Sequence, residues 1–362
     1  MPKDNENVPF PLFTTDDPEA SVLSPFAREQ MLRCDECLRA NPPTRVNCLY
    51  CGAPLPHNKA TLNLRKPALR PLEKWEQGYN NILRAPVANP AAALLAEAAD
   101  LLRLRPDDLS LILSSSIPLP LARAATINEA ELVQDRLSSL GIDSSIMPDA
   151  EPGTDATFAK VRALEIDEAG VAAYQSPETA AIRISWSDFV LLVAGRLRVK
   201  RVELREGKGA RAEKDILDAS EFVTDEMVFD FYSRNKAVPY RIAANSFDFS
   251  CLGPNKGLLA GENLSRLLQL FREQAAHAVY DDSFNSVRKM LEVVWPSEQQ
   301  IESSGWRRER PGKYSLGSAT ELSNETQFLR YSCLRYYLLS ATLPTTQTGG
   351  VACTPEKTDD DS

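Results

Sequence analysis

Apolar residues recur every three or four positions in five segments of the chain, with polar residues between them. This spacing puts the apolar side chains on one face and is typical of helices that pack against a core. It predicts helices over residues 89–102, 127–140, 262–279, 282–295 and 323–339. The positions expected to be buried are Ile127, Ala130, Leu132, Val133, Leu137, Leu264, Leu267, Leu268, Phe271, Ala275, Phe284, Val287, Leu291, Val294, Phe328, Leu329, Leu334 and Leu338.

Polar residues mark the starts of three of these helices. Asn89 precedes Pro90, a residue favoured at the first helical position, and Asp282 precedes the fourth helix. Thr126 is followed three residues later by Glu129, which is the spacing of a capping box. We therefore expect side-chain caps at Asn89, Thr126 and Asp282.

Alternating apolar and polar residues are typical of strands with one buried face. Within residues 195–206 the apolar positions change phase between Val199 and Val202, which predicts a bulge near Lys200 and Arg201. The alternation predicts strands over residues 142–147, 157–166, 170–175, 181–186, 195–206, 227–233 and 240–250.

Three further stretches carry weaker patterns. Residues 110–116 fit either a strand or a short helical turn, and residues 118–126 are expected to form a loop bounded by prolines. Residues 58–85 contain spaced prolines and alternating leucines and arginines, which predicts a linker, with Trp75 and Tyr79 as anchors on the folded body.

Composition indicates a chain that is long enough for a sizeable core and acidic overall. It has 362 residues, 43 % of them hydrophobic, and a formal charge of −9. Residues 31–75 nevertheless hold eight basic and three acidic residues, a net charge of +5, so the remainder carries −14. A basic segment on an acidic body can contact phosphates or an acidic partner, or dock on its own body.

Four cysteines form the most specific chemical motif. Cys34 and Cys37 make one CxxC pair and Cys48 and Cys51 make a second, ten residues further on. Two such turns facing each other supply four soft tetrahedral ligands, the set that zinc prefers. Because four thiolates leave no open position, we expect one structural Zn²⁺ rather than a catalytic one.

Two other interpretations of the motif stay open, a disulfide or redox pair and another metal. The first ten residues lack the basic start and apolar core of a secretory signal, so we expect a cytoplasmic protein in a reducing compartment, where disulfides do not persist. His57 lies close enough to replace a cysteine ligand, but a solvated loop position is favoured. Cys251, Cys333 and Cys353 are scattered and are expected to be free thiols.

The stretch CDECLRANPPTRVNCLYCGAPL resembles the short zinc ribbons of bacterial multidomain proteins, whose second knuckle runs into glycine and a Pro-Leu tail. Its spacing is also similar to the Ran-binding-protein type of zinc finger, including Asn41 four residues after Cys37. That family's tryptophan before the first cysteine is Leu32 here, and its ubiquitin-binding Thr-Phe pair is Leu38 and Arg39. The resemblance therefore implies a zinc site, without ubiquitin or RNA binding.

Two weaker resemblances lie further along the chain. The helix, glycine and strand around residues 126–147 are similar to small βαβ modules such as the ribosomal stalk C-terminal domain. The strands ending in ISWSDFVLLVAG resemble bacterial pleckstrin-homology-like barrels. The exposed side predicted for Arg196, Arg198 and Lys200 fits binding of phospholipid headgroups or nucleic acid, although a solvated strand edge protected by charge is favoured.

Together these patterns predict an α+β protein of several domains, with a zinc ribbon on a flexible arm. We expect disordered tails because both ends are rich in polar residues and poor in apolar ones. The predicted divisions are a disordered tail over 1–30, the zinc ribbon over 31–57, a linker over 58–85, a small α/β domain over 86–150, a β-rich domain over 156–215, an α+β C-terminal domain over 216–341 and a disordered tail over 342–362.

The sequence indicates a non-enzymatic adaptor or regulatory protein that binds protein partners. Glycine-rich phosphate loops and a GxSxG nucleophile elbow are missing, only two histidines occur, and His277 is explained by its place at a helix end. No apolar run reaches the roughly 18 residues of a membrane helix. Nucleic-acid or anionic-surface binding through the basic arm and a divergent enzyme remain alternatives, and the oligomeric state stays open.

Overall fold

The structure is a computed structural model that describes most of the chain. The described residues are 26, 30–56, 65, 67–73, 75–149, 158–176, 178–208, 214–234, 236–310 and 313–341. The predicted tails over 1–30 and 342–362 fall almost entirely outside these residues, as does His57.

Helices and several separate sheets together make a mixed α+β fold. The strands are β1 (Leu32–Arg33), β2 (Ala40–Asn41), β3 (Tyr79–Leu83), β4 (Pro120–Ala124), β5 (Ser144–Pro148), β6 (Ala159–Lys160), β7 (Ala163–Ile166), β8 (Gly170–Tyr174), β9 (Ile182–Ser185), β10 (Phe189–Lys208), β11 (Lys214–Ser233), β12 (Lys236–Ala243), β13 (Val279–Asp281), β14 (Glu298–Arg310) and β15 (Lys313–Ser323). The α-helices are α1 (Ala92–Leu102), α2 (Pro106–Leu113), α3 (Ile127–Ser139), α4 (Ala260–Gln274), α5 (Phe284–Val294) and α6 (Glu325–Ser340).

The first unit of the body is a three-stranded sheet covered by α1, α2 and α3. Its strand order is β4-β3-β5, and β3 is antiparallel to both neighbours. The central strand β3 lies in the predicted linker, so this unit begins before residue 86. The predicted loop over 118–126 contains β4, whose first residue is Pro120. β4 is an edge strand, so one of its sides has no neighbouring strand. A proline, which has no backbone N–H to donate, is tolerated on that side.

A larger sheet forms the centre of the molecule, in the order β14-β15-β10-β11-β12-β6. The short strand β13 also pairs with the first part of β10, in parallel. Strands β7, β8 and β9 form a separate antiparallel sheet beside it. The described strands of the middle region therefore divide between two sheets, and β10 belongs to the sheet built mainly from C-terminal strands.

The boundary predicted between residues 215 and 216 lies within a long hairpin. Strands β10 and β11 pair from Phe189 with Ser233 to Lys208 with Lys214, so these residues form one structural element. The bulge predicted near Lys200 and Arg201 is wrong, because the register is regular there and shifts only near the two ends of β10. From residue 199 to residue 205 both faces of β10 are at least partly open to solvent, so a phase change in the apolar pattern requires no bulge.

Two hydrophobic cores lie on opposite faces of the central sheet, because side chains alternate along β10. Leu191 and Val193 contribute to the core that contains α5, α6 and the β3–β5 unit. Leu192 and Ala194 contribute to the core that contains α4 and the β7–β9 sheet. The β3–β5 unit therefore shares its hydrophobic core with the C-terminal helices α5 and α6.

Most of the predicted helix faces are confirmed by burial. The third to sixth helices bury the expected residues with four exceptions: Ile127 is exposed, and Val294, Leu329 and Leu338 are half-buried. Of residues 110–116, the first four form the end of helix α2 and none lies in a strand. Thr126 caps α3 as expected, whereas α1 and α5 have no side-chain cap from Asn89 or Asp282. Trp75 is 80 % exposed, so it is not an anchor.

Among the described helices, none combines the length and the apolar character that crossing a lipid bilayer requires.

Candidate metal centre

The chain folds into two tight turns that bring the two CxxC pairs together. In the first turn the N–H of Leu38 donates to the carbonyl of Cys34 at 2.8 Å, and Leu38 adopts a positive φ of 60°. In the second turn the N–H of Gly52 donates to the carbonyl of Cys48 at 3.0 Å, with a φ of 75°. Gly52 suits this left-handed conformation, because it has no side chain to clash.

The four sulfur atoms lie within 4.8 Å of one another, as a compact cluster. The Sγ atoms of Cys34 and Cys51 are 3.6 Å apart and those of Cys37 and Cys48 are 3.5 Å apart. A disulfide would bring two sulfurs to about 2.05 Å, so the described cysteines are free thiols. Tetrahedral ligation with bonds of about 2.3 Å separates sulfurs by about 3.8 Å, and the cluster therefore fits one tetrahedrally bound metal ion.

Asn41 ties the two turns together from a fully buried position. Its side-chain amide donates to the carbonyl of Arg39 at 2.9 Å and to the Sγ of Cys48 at 3.4 Å. Its Oδ1 accepts the N–H of Leu49 at 2.8 Å. Such outer contacts orient the ligands and stabilise negative charge on sulfur.

The thiols differ in how readily they ionise. Burial opposes ionisation of Cys48, but N–H groups of Tyr50, Cys51 and Asn41 that point at its sulfur lower its pKa to about 6. For Cys51, donation from Ala53 favours the thiolate, but desolvation and the three neighbouring sulfurs raise its pKa to about 12. A cation among the sulfurs is therefore needed before all four can be thiolates at neutral pH.

Arg65 extends the folded module into the predicted linker. Its side chain is only 1 % exposed, and its guanidinium donates to the carbonyls of Pro43 at 3.2 Å and of Pro56 at 2.7 Å. The sequence shows Arg65 only as one of several basic residues in a proline-containing stretch, so it gave no signal of this role. Arg65 is one of the basic residues that give residues 31–75 their net positive charge, and it binds backbone carbonyls inside the module.

Large apolar side chains surround the cluster without entering its small core. Leu38 is 59 % exposed, Leu49 is 50 % exposed and Tyr50 is 57 % exposed. Leu38 directly follows the first cysteine pair, and the other two residues lie between the cysteines of the second. The Arg39 guanidinium lies 4.7 Å from the centre of the Tyr50 ring. These residues form an apolar surface with a basic neighbour, which we call the knuckle surface (Leu38, Arg39, Leu49 and Tyr50).

Two of the three cations on the predicted basic strand face lie near carboxylates. Lys200 pairs with Glu221 at 3.0 Å, and Arg196 lies 3.8 Å from Asp225. Arg201 contacts three carboxylates, those of Glu203, Glu302 and Glu321.

The other candidate groups are placed apart from the cysteine cluster. His277 is exposed just after α4. Burial raises the pKa values of both Cys251 and Cys333 to about 11, so these thiols are protonated and weakly nucleophilic at neutral pH. Asp248 caps the short helical segment after it by accepting from the N–H of Ser250 at 3.0 Å.

Comparison with known proteins identifies no relative: no family model matches the chain, and no curated protein or solved structure matches it. The zinc-ribbon, Ran-binding-protein-type and pleckstrin-homology-like resemblances consequently remain predictions from sequence.

Proposed function

We propose that the chain is a zinc-binding adaptor whose metal-stapled N-terminal module docks a protein partner. The observation that carries the proposal is the exposed knuckle surface on a cluster of four thiols. The proposal assigns no catalytic step to the protein.

Zinc is supported by the donor set. Four sulfurs from two turns form a closed tetrahedral site, and soft thiolates favour zinc over hard cations such as Mg²⁺ or Ca²⁺. Among its described residues this small module has little apolar core, with Cys34, Cys48 and Leu55 buried in its hydrophobic cluster, so metal binding would supply much of its folding free energy.

Protein docking is supported by the exposure of the knuckle surface. A short metal-bound module has few apolar residues, and three of its largest are turned towards solvent rather than into Cys34, Cys48 and Leu55. Exposed apolar groups rimmed by polar ones are typical of protein interaction sites, and aromatic residues and arginine are enriched there. The partner surface would be apolar with an acidic group opposite Arg39.

Nucleic-acid or anionic-surface binding is the weaker candidate. Lys200 and Arg201 are engaged by carboxylates, which reduces the positive potential of their strand. Arg65 is buried, which removes another cation from the basic arm.

The metal is tested by native mass spectrometry of the full chain. We expect one zinc ion per chain, lost when Cys34→Ser and Cys48→Ser are combined. Stoichiometric disulfide with no metal would overturn the zinc assignment.

The adaptor role is tested by quantitative affinity capture from extracts of the native host. We expect a protein captured by the wild type to be lost with Leu49→Ser plus Tyr50→Ser, in a variant that keeps its zinc. Leu111→Ser is the matched control, because Leu111 is 56 % exposed on the body. Equal capture by all three proteins, or salt-sensitive recovery of nucleic acid that is abolished by charge reversal of Arg39 and Arg45, would contradict protein docking by the knuckle surface.

A further inference from the structure

A cleft of about 390 Å³ opens between the β3–β5 unit and the C-terminal helices. Its lining includes the segment Leu69–Glu73, the end of α1 and β4. The end of α5, the start of β14 and Arg330 of α6 complete it. Its volume is within the range of small-molecule pockets, which favour junctions between structural units.

Arg123 and Arg330 line this cleft beside Arg70, Arg103, Glu73 and Glu298, and a further carboxylate acts on both Arg123 and Arg330. That carboxylate, Asp149, is already fully engaged. Its Oδ1 accepts from Asn80 Nδ2 at 2.8 Å, and its Oδ2 accepts from the N–H of Gly78 at 2.8 Å and from Arg123 Nε at 2.9 Å. Arg123 Nη2 also donates to Asp149. Asp149 thus compensates Arg123 and has little capacity left for a second guanidinium.

Arg330 carries a charge that the described residues do not bind directly. No hydrogen bond or ion pair to its guanidinium occurs within the described ranges, although the side chain is half-buried. Burial lowers the pKa of Arg330 and the neighbouring charge of Arg123 lowers it further, while Asp149 and Glu298 act in the opposite direction. A desolvated guanidinium with no bound anion is unfavourable, and an anionic ligand would relieve that cost.

The other walls of the cleft are mixed. Leu72, Leu104, Leu121 and Val294 supply apolar side chains, and Arg70, Glu73, Arg103 and Glu298 add charged ones. Bound inorganic phosphate would leave the apolar side chains of the cleft exposed to water. A purely apolar molecule would leave Arg330 without an anionic partner. The cleft therefore matches a ligand that carries both an anionic group and an apolar body.

We propose that this cleft binds a small amphipathic anion, with its carboxylate or phosphate group on Arg330 and Arg123 and its apolar body against Leu72, Leu104 and Val294. Arg123 can contribute through Nη1, which has no hydrogen bond among the described residues. Arginine forks bind both headgroups in a bidentate manner, so the two sources share one recognition chemistry. The site is independent of the cysteine cluster.

The test is isothermal titration calorimetry on the full zinc-loaded chain with four probes: octanoate, octyl phosphate, octanol and inorganic phosphate. We expect octanoate, octyl phosphate or both to bind, and each probe that lacks one part to bind at least about tenfold more weakly. The stronger of the two amphipathic probes identifies the headgroup. No binding by either amphipathic probe, or equal binding by octanol or by inorganic phosphate, would overturn the proposal.

Arg330→Gln is expected to weaken the better probe about tenfold or more, whereas Arg183→Gln, at an exposed arginine of β9, is expected to leave it unchanged. The melting temperature of ligand-free Arg330→Gln should stay equal or rise, because a half-buried cation without a direct ion pair among the described residues is removed. A lower melting temperature with unchanged probe affinity would show that Arg330 is structural and would reject the site. Arg330→Lys, which keeps the charge and removes the fork, should bind more weakly than the wild type and provides the affinity measurement if the glutamine variant does not fold.

Discussion

At the scale of single residues, spacing along the chain predicts the cysteine cluster better than the residues that support it. Cys34, Cys37, Cys48 and Cys51 could be assigned from sequence because a CxxC turn puts two sulfurs on one side by local geometry alone, and the structure brings all four together. Arg65 could not be assigned, because its contacts with Pro43 and Pro56 depend on the path of the intervening chain.

Asn41 provides a residue-scale prediction. Asn41→Ala removes the amide that donates to Cys48 Sγ and leaves the N–H of Leu49 without its Oδ1 acceptor. We expect the affinity for zinc to fall about ten- to a hundredfold, since outer contacts of this kind orient the ligand and stabilise its charge. Competition against a chromophoric zinc chelator measures the change.

The matched control is Asn47→Ala. Asn47 is exposed and forms a backbone bridge to Pro54, which alanine preserves. Zinc affinity equal to that of the wild type is expected for this control. If Asn41→Ala also retained wild-type affinity, the proposed support of Cys48 by Asn41 would be incorrect.

At the scale of secondary-structure elements, helices were predicted more completely than strands. The helix period depends on neighbours within one turn, so α3, α4, α5 and α6 could be predicted from short windows. Strand pairing depends on distant partners. The β14–β15 hairpin was missed although a Pro-Gly dipeptide, typical of turns, occurs in this stretch of the sequence, because residues 298–323 are mostly polar and lack a clear alternation.

Gly195 sets how closely two helices approach the central sheet. It lies in β10, and a Cβ atom there would be 2.5 Å from a ring carbon of Phe328 in α6 and 3.0 Å from one of Phe284 in α5. Gly195→Ala should therefore lower the free energy of unfolding by about 1–3 kcal/mol through overpacking. Urea denaturation followed by circular dichroism measures it.

Gly261→Ala is the same substitution at an open position and serves as its control. The nearest atom to a Cβ at Gly261 is Met227 Sδ at 3.5 Å, an ordinary contact, and alanine favours the helix α4. This variant should be neutral or slightly more stable. Equal stability of Gly195→Ala and Gly261→Ala would show that α5 and α6 can move away from β10 at little cost.

At the scale of the whole molecule, the predicted divisions followed composition, whereas the cores follow contacts between distant residues. Trp295 at the end of α5 donates to Asn80 Oδ1 of β3 at 2.8 Å, across 215 positions. Gln327 of α6 donates to the carbonyl of Trp295 at 2.8 Å. No local pattern reveals these contacts, so composition predicts two units, whereas the described residues of both share one continuous core.

Through the contacts of Asp149, the stability of the junction between the β3–β5 unit and the C-terminal helices is expected to depend on pH. It joins β3 and β4 through Gly78, Asn80 and Arg123, and Asn80 in turn holds Trp295. Burial opposes ionisation of Asp149, but the hydrogen bonds and charge of Arg123 and the amide of Asn80 hold its pKa below its usual value. A carboxylate with a lowered pKa stabilises the fold fully above its unfolded pKa, and that stabilisation is lost as the pH falls through the folded pKa.

We therefore expect the free energy of unfolding of the wild type to decrease as the pH falls below about 4, the ordinary range of an aspartate. Asp149→Asn should be less stable than the wild type at pH 7 by about 1–3 kcal/mol, and the difference between the two proteins should shrink on acidification. Urea denaturation across a pH series measures both curves. Asp143→Asn, at an exposed carboxylate 3.9 Å from Arg84, should follow the wild-type curve. If the difference in free energy of unfolding between wild type and Asp149→Asn stayed constant down to the lowest pH measured, the charge of Asp149 would not stabilise the junction.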